Sequence, residues 1–414
     1  MISVEEALKI VLPASAPVDA EEVELQGALG RTTAEDVVSD TDIPCFDNSA
    51  MDGYAVRECD VASAAKDTPV VLDVLEDIPA GTVPTKELGP GQAMKIMTGA
   101  PVPAGADAIV IVEDTEASNG KVTVFAPPSR NHIRAKGEDI VEGSVAVEAG
   151  TRLRPQEIGL LASVGCCRLK VSRRPKVAFL STGDEVIRHD QPLTVGKVRN
   201  SNAFTLRGLI AEAGGEPIDL GIARDTKEEL HEHLKRGLDA DILCTSGGVS
   251  VGDYDFVKDA LQDVGMELAY WKVRMKPGKP SLFGRAGDCL VFGLPGNPVS
   301  VMVCFELFVR PTILKMLGQK RIHRPMVKVV LDQDVKHRGD RRSYVCANLR
   351  VVDGAYHAVV RGPQGSGILR SISLANALLV LPEDSPAPKA GDTVEAILLN
   401  CPETEETPVV RCPV

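Results

Sequence analysis

The sequence predicts a multidomain protein of the α/β plus all-β class: a central, mostly parallel α/β domain, an inserted β domain and a C-terminal β-barrel. The chain has 414 residues, more than the roughly 250–300 at which a single core stops growing. Strand and helix patterns alternate through its middle, which indicates a parallel sheet covered by helices. On either side, short β-branched runs broken by glycine and proline indicate all-β units.

The N-terminal part predicts a helical linking domain that is interrupted by a β unit. Residues 1–41 open with helical spacing from about Ser3 to Val11, and residues 151–173 return to it in RPQEIGLLASVG. Residues 42–150 between them carry short runs such as VVLDVL and AIVIVED, separated by PAG and LGPGQ. We therefore expect residues 1–41 and 151–173 to form one domain, with 42–150 inserted as a β-barrel-like domain.

The second half of the chain predicts two further domains. Residues 174–318 alternate strands and helices, from KVAFLSTGDE to NPVSVMVCFELFVRPTILKMLG, as a parallel α/β domain does. Residues 319–414 return to short strands such as MVKVVLD and ALLVLPED, with no convincing helix. This last part is predicted to be the C-terminal β-barrel.

Composition excludes several classes of protein. The net charge of −12 argues against a nucleic-acid partner, because duplex affinity comes mainly from lysine and arginine. No stretch approaches the ~18 uninterrupted apolar residues of a membrane span, and Glu5 and Glu6 stand where an export signal needs basic residues. The ten cysteines include no CxxC pair, which favours a reducing cytoplasm and no structural zinc. The expectation is a cytoplasmic protein with no membrane contact.

Three loops that follow strands of the α/β domain predict an anion pocket. Their sequences are STGDE, TSGGVSVGDYD and GLPGNPVS, and each leads into a helix whose free N–H groups favour an anion. The carboxyl ends of parallel strands meet at one sheet edge, so the loops should converge. One such loop alone would be explained by tight-turn geometry. The predicted substrate-binding residues of these loops are Thr182, Gly183, Asp184, Ser246, Gly247, Gly248, Pro295, Gly296 and Asn297.

Charged side chains are concentrated near the same loops. The stretch WKVRMKPGKP supplies Lys272, Lys276 and Lys279 as candidates to bind an oxyanion, the alternative being a solvated basic strand end. Acidic residues at the same edge would suit Mg²⁺, which prefers oxygen ligands and bridges to phosphates. The candidate ligands are Asp184, Glu185, Asp225 and Asp253. For Asp253, helix capping explains the residue equally well.

Seven motifs, taken together, resemble one known family. NSAMDGYA, MTGAPVP, GED, STGDE, SGGVSVGDYD, KPGKP and LPGNPVS occur in the order and spacing of the MoeA family of molybdopterin molybdenumtransferases, which also includes the gephyrin E domain. The match covers nearly the whole chain. The resemblance implies insertion of molybdate into adenylylated molybdopterin with release of AMP, dependent on Mg²⁺ or another divalent cation. It also implies a homodimer whose active cleft lies between subunits, and transient contact with the adenylyltransferase.

The resemblance also assigns roles that the residues alone do not. Turn chemistry would explain the polar residues of the inserted domain, but the family pattern makes a functional set of Asp52, Thr98, Asp139, Glu185, Asp225 and Asp253. It matches Ser250, Ser300, Lys276 and Lys279 to oxyanion-contacting loops. In the C-terminal domain it points to Arg341 or Arg342 in GDRRSY and to Ser371 or Ser373 in SISLAN. Ser343 and Tyr344 depart from the family pattern, which carries an aromatic residue or glutamate after the arginines.

Three alternatives stay open on the sequence. A molybdopterin adenylyltransferase shares the α/β domain, but normally consists of that domain alone. A tungstate-inserting paralogue would be identical in every motif, because the two oxyanions have nearly the same size and charge. A non-catalytic dimeric scaffold would not require the lysine and acidic loops, which are all intact here.

Overall fold

The computed structural model describes residues 1–129, 131–248 and 256–402. They form two compact units, and the second, residues 22–29 and 35–170, lies within the first half of the chain. The first unit comprises residues 1–21, 30–34 and the chain from 171 onwards. Each unit has its own hydrophobic clusters. None of the helices in the described ranges is both long and apolar enough to cross a membrane.

The first unit contains the predicted α/β sheet. Across the sheet the strands are Glu216–Ala223, Lys176–Thr182, Ile242–Ser246, Cys289–Leu294, Leu282–Ala286 and Glu267–Trp271. The first four run parallel, Leu282–Ala286 is antiparallel to both of its neighbours, and Glu267–Trp271 therefore runs in the direction of the first four. Strand Ile242–Ser246 is buried along its whole length, as expected for a strand covered on both faces. The predicted mostly parallel sheet is confirmed.

Helices cover this sheet and extend the first unit. They are Val4–Ala14, Asn202–Glu212, Lys227–Gly237, Phe256–Asp263, Pro298–Cys304 and Arg310–Met316, the last two joined by the π-helical segment Phe305–Val309. The first helix begins after Ser3, where Ser3 Oγ accepts from the N–H of Glu6 at 3.0 Å and Glu6 Oε2 accepts from the N–H of Ser3 at 2.7 Å. This reciprocal cap explains why the helix starts where the sequence predicts.

The C-terminal part of the first unit is a closed five-stranded barrel. Around the barrel the strands are Arg342–Val352, Ala355–Val359, Met326–Leu331, Thr393–Leu398 and Ala377–Leu381, the last pairing again with the first. A sixth strand, Met275–Lys276, comes from the α/β domain and pairs parallel with Arg342 and Ser343. The barrel segment also contains a short helix, Leu369–Ser373. The expectation of no helix was wrong here, because five residues are too few to show helical periodicity.

The second unit is β-rich. Its main sheet has the strand order Ala108–Ile111, Gly53–Val56, Gln92–Ile96, Val70–Ile78, Lys121–Val124 and Thr115–Ser118. Two small ladders pair Asn48–Ser49 with Ile133–Arg134 and Val37–Val38 with Val145–Val147. Its helices are Glu58–Val61 and Pro155–Ser163, with 3₁₀ turns at Leu25–Gly27 and Val112–Asp114. The first and last strands of this order, Ala108–Ile111 and Thr115–Ser118, each pair with a single neighbour among the described strands.

Four short strands complete the described secondary structure: Ala20–Glu24, Arg168–Ser172, Val186–Ile187 and Val198–Arg199.

Candidate functional site

The three glycine loops meet at one edge of the α/β sheet. Ser181 and Leu294 lie opposite Ser246 on the two neighbouring strands, so the chain leaves all three strands at the same level. The side-chain amide of Asn202 donates to Ser246 Oγ at 2.7 Å and to the carbonyl of Gly296 at 2.8 Å. Asn202 is the first residue of the helix that follows the first loop. Its amide therefore links the second loop, through Ser246, to the third loop, through Gly296.

Backbone contacts place the remaining loop residues at this edge. The N–H of Gly247 donates to the carbonyl of Leu294 at 3.1 Å, and that of Gly183 donates to Ala223 at 3.3 Å. Asp184 and Gly248 come directly after Gly183 and Gly247. Buried oxygens here lack hydrogen-bond partners in the described part of the chain: Thr182 Oγ1 and Asn202 Oδ1. Since buried polar atoms are normally bonded, these two indicate a place for a ligand or an ordered water.

Gly247 is required by both its conformation and its surroundings. Its φ is +106°, in the region that side-chain-bearing residues rarely adopt. A Cβ at this position would lie 2.6 Å from the carbonyl oxygen of Thr182 and 2.9 Å from its Oγ1. The loop can approach Thr182 this closely only with glycine.

Gly247→Ala is expected to lower the free energy of unfolding by about 2–4 kcal/mol, through backbone strain and the clash with Thr182. Gly196→Ala is the control, because Gly196 has φ +81° but no atom near its missing Cβ. It should cost about 1 kcal/mol from conformation alone. Urea unfolding of both variants separates the two contributions; equal costs would show that the close approach to Thr182 is unimportant.

A cavity of about 1050 Å³ lies in the first unit, between the lysine segment, the loop before helix Pro298–Cys304 and the barrel. Five lysine and arginine side chains line it: Lys276, Lys279, Lys336, Arg338 and Arg341. Asp334 also lies in the wall, but it accepts from Lys389 Nζ at 2.9 Å and from the N–H of Ala390 at 3.0 Å. Arg341 forms an ion pair with Asp340 at 3.0 Å, and the other four cations leave the cavity with an excess of positive charge in a chain of net charge −12.

The predicted oxyanion residues divide into those that line this cavity and those that do not. Lining it are Lys276, Lys279, Pro295, Asn297, Ser300 and Arg341. Lys272 instead places its ammonium 3.7 Å from the centre of the Trp271 ring. Arg342 pairs with Glu5 and, at 3.2 Å, with Glu383. Ser371 is buried and donates its hydroxyl to the carbonyl of Ile368 at 2.7 Å.

The predicted metal ligands include a close acidic pair. The N–H of Asp225 donates to Asp184 Oδ1 at 3.4 Å. The pKa of Asp225 is raised, first by burial and then by the negative charge of Asp184, with Glu185 adding to it. Within the described ranges, no three carboxylate, histidine or cysteine side chains are arranged to hold an ion. Asp253 and Ser250 lie outside the described residues.

In the second unit, Asp52 and Thr98 contact each other. Asp52 Oδ1 accepts from the N–H of Thr98 at 2.7 Å and from its hydroxyl at 2.8 Å. These bonds lower the pKa of Asp52, the backbone bond most strongly, and keep the carboxylate ionised. Asp139 is exposed, and its N–H donates to the carbonyl of Ile43 at 2.9 Å.

Several residues of the cavity were not expected from the sequence. Lys336, His337, Arg338, Tyr344 and Ser366 all line it. The Lys-His-Arg run at 336–338 is a basic cluster like the lysine segment and could have been found by the same rule. Ser366 could not, since only the fold brings its Oγ to 3.0 Å from Asn297 Nδ2, which donates to it.

Comparison with known families covers most of the chain. Residues 2–165 match the MoeA N-terminal region (domain I and II), and residues 178–315 match a family described as a probable molybdopterin binding domain. Residues 328–399 match the MoeA C-terminal region (domain IV).

Individual relatives agree with these matches. The molybdopterin molybdenumtransferase of Nostoc sp. is 41% identical over 371 residues, which cover 88% of this chain and 85% of the relative. That of Bacillus subtilis is 38% identical over 413 residues, covering 98% and 96%. The crystal structure of the molybdopterin biosynthesis MoeA protein from Pyrococcus horikoshii OT3 superposes with a TM-score of 0.82 at 32% identity, covering 96% of this chain and all of that one.

Proposed function

Because this chain belongs to the MoeA family, we propose that its cationic cavity binds the oxyanions of the family's reaction. Its function is that of a molybdopterin molybdenumtransferase, a transferase of molybdenum cofactor biosynthesis. The reaction inserts molybdate into adenylylated molybdopterin and releases AMP. One observation carries the assignment to the cavity: five lysine and arginine side chains surround about 1050 Å³, while the chain as a whole is acidic.

The cavity catalyses chiefly by binding and positioning. Lys276, Lys279 and Arg341 hold tetrahedral molybdate as ammonium and guanidinium donors, with Ser300 and Asn297 supplying neutral ones. Holding the oxyanion beside the dithiolene sulfurs turns a bimolecular encounter into a step within one complex. Cys346 also lines the cavity, but burial raises the pKa of its thiol. It stays protonated and is a poor nucleophile.

The glycine loops hold the pterin end of the substrate. Thr182 Oγ1 and Asn202 Oδ1 have no hydrogen-bond partner in the described part of the chain. In the complex they accept hydrogen bonds from the N–H groups of the pterin ring. The conformation of Gly247 lets its loop pack closely against Thr182, which positions the Thr182 oxygen for the substrate. The side chain of Ser246 is already held by Asn202, so it orients the loop.

The acidic residues have the chemistry that a divalent cation such as Mg²⁺ prefers, but no three of them within the described ranges are arranged to hold an ion, so Asp253 would have to complete the set. The donors Asp184, Glu185 and Asp225 are carboxylates, and burial first, then the charges of Asp184 and Glu185, raise the pKa of Asp225. Asp184, Glu185 and Asp225, with Asp253, would hold the ion. Once bound, it would polarise the phosphoanhydride and stabilise the departing AMP.

The remaining functional residues come from a second copy of the chain. The protein acts as a homodimer, in which Asp52, Thr98 and Asp139 of one subunit complete the α/β site of the other. This arrangement rests on the family resemblance and gives the Asp52–Thr98 pair a role beyond turn geometry. The same proposal includes a division into four domains, with boundaries at residues 41, 150, 173 and 318. It also includes a transient contact with the adenylyltransferase and a cytoplasmic location.

An assay of AMP release tests the function. With adenylylated molybdopterin and Mg²⁺, the chain should release AMP only when molybdate is added. Incubation with molybdopterin and ATP should give no adenylylated product, which separates it from an adenylyltransferase. A scaffold would do neither, and a tungstate-inserting paralogue would release AMP faster with tungstate than with molybdate.

A further inference from the structure

The first five residues of the chain contact both walls of the cationic cavity. On the lysine side, the N–H of Ile2 donates to the carbonyl of Lys272 at 3.2 Å, and the N–H of Arg274 donates to the carbonyl of Ile2 at 2.8 Å. These bonds hold the strand that leads into Lys276. The N-terminus therefore fixes the segment that carries the two cavity lysines.

On the barrel side the contact is an ion pair. Arg342 Nη1 bonds Glu5 Oε1, and Arg342 Nε lies 3.2 Å from Glu383 Oε2. The guanidinium thus lies between a carboxylate of the first helix and one that follows strand Ala377–Leu381. Its side chain is only 22% exposed, so the pair is partly shielded from solvent.

Arg342 stands between two residues that line the cavity, Arg341 and Ser343, and Tyr344, two positions on, lines it as well. Arg342 also acts directly on Tyr344: burial raises the pKa of that phenol to about 12, and the neighbouring guanidinium acts in the opposite direction. Arg342 does not line the cavity itself.

We propose that Glu5 is a positioning residue for the oxyanion cavity. By holding Arg342 against Glu383, Glu5 fixes the wall that carries Arg341 and Tyr344 at a set distance from Lys276, whose strand pairs with Arg342 and Ser343. Oxyanion affinity depends on that distance, because the donors on both walls must reach one small tetrahedral ion. The inference rests on the proposed function, in which the cavity is the molybdate site.

Glu5→Gln tests this proposal, since it removes the charge and keeps the shape of a side chain that is 54% exposed. Molybdate binding to the full chain is measured by titration calorimetry, beside KM, kcat and the thermal midpoint. We expect the Kd and KM for molybdate to rise about 5-fold or more, with kcat within about 2-fold and the midpoint nearly unchanged. Glu5→Asp should recover part of the affinity.

Glu6→Gln is the matched control: it makes the same change one residue along, and glutamine preserves the cap with Ser3. It should bind molybdate like the unchanged protein. Equal affinity in Glu5→Gln and the unchanged protein would overturn the positioning role, as would an equal loss in Glu6→Gln. If the unchanged protein binds no molybdate, the assignment of the cavity itself is overturned, and the role of Glu5 with it.

Discussion

Lys276→Met is expected to slow molybdate-dependent AMP release by about 10²–10³-fold, the usual cost of removing one preorganised donor from an oxyanion site. Lys276 lies where the α/β domain joins the barrel, because its strand pairs with Arg342 and Ser343. Its ammonium therefore lines the cavity from a fixed backbone position. Methionine keeps an unbranched side chain, one heavy atom shorter, and removes the ammonium group with its charge and its donors.

Lys328→Met is the control for this change. Lys328 is an exposed lysine on barrel strand Met326–Leu331 and does not line the cavity. Its replacement should leave AMP release and the thermal midpoint nearly unchanged. If Lys276→Met retains more than half of the normal rate at saturating molybdate, the cavity is not where molybdate is held during the reaction.

The fold was predictable where one residue pattern determines one structure. Alternating strands and helices predicted the parallel sheet, and buried runs such as ILCTS confirm it. Which strands pair with each other was harder to predict from the sequence. That Met275–Lys276 joins the barrel depends on the parallel pairing of Met275 with Arg342, 67 positions later in the sequence, and a pattern of local periodicity contains no such information.

In the candidate site too, the features that depend on local sequence were predictable and those that depend on distant segments were not. Glycine and lysine in the loops follow from local chemistry, because a close backbone approach needs glycine and an oxyanion needs cations. Arg341 and Arg342 could not be told apart by sequence, yet only Arg341 lines the cavity, while Arg342 pairs with Glu5 and Glu383. Roles that depend on a partner from a distant segment require the fold.

Glu185→Gln is expected to lower Mg²⁺-dependent AMP release by about 10²-fold or more, because a carboxylate ligand supplies charge that an amide does not. The fold should be unaffected. Direct Mg²⁺ titration of the protein should show weaker binding. Glu216→Gln is the control: Glu216 is exposed and begins the strand whose far end leads to Asp225. Unchanged Mg²⁺ dependence in Glu185→Gln would remove Glu185 from the set of metal ligands.

The pH dependence of the same site follows from Asp225. Burial and the charges of Asp184 and Glu185 raise its pKa, so Asp225 takes up a proton at a higher pH than an ordinary aspartate. Protonation competes with the cation, and the Mg²⁺ concentration for half-maximal rate should therefore increase as the pH falls. In Glu185→Gln one of those charges is gone, so the pKa of Asp225 should fall and the increase should begin at a lower pH. An unshifted onset would show that Glu185 and Asp225 do not act on the same ion.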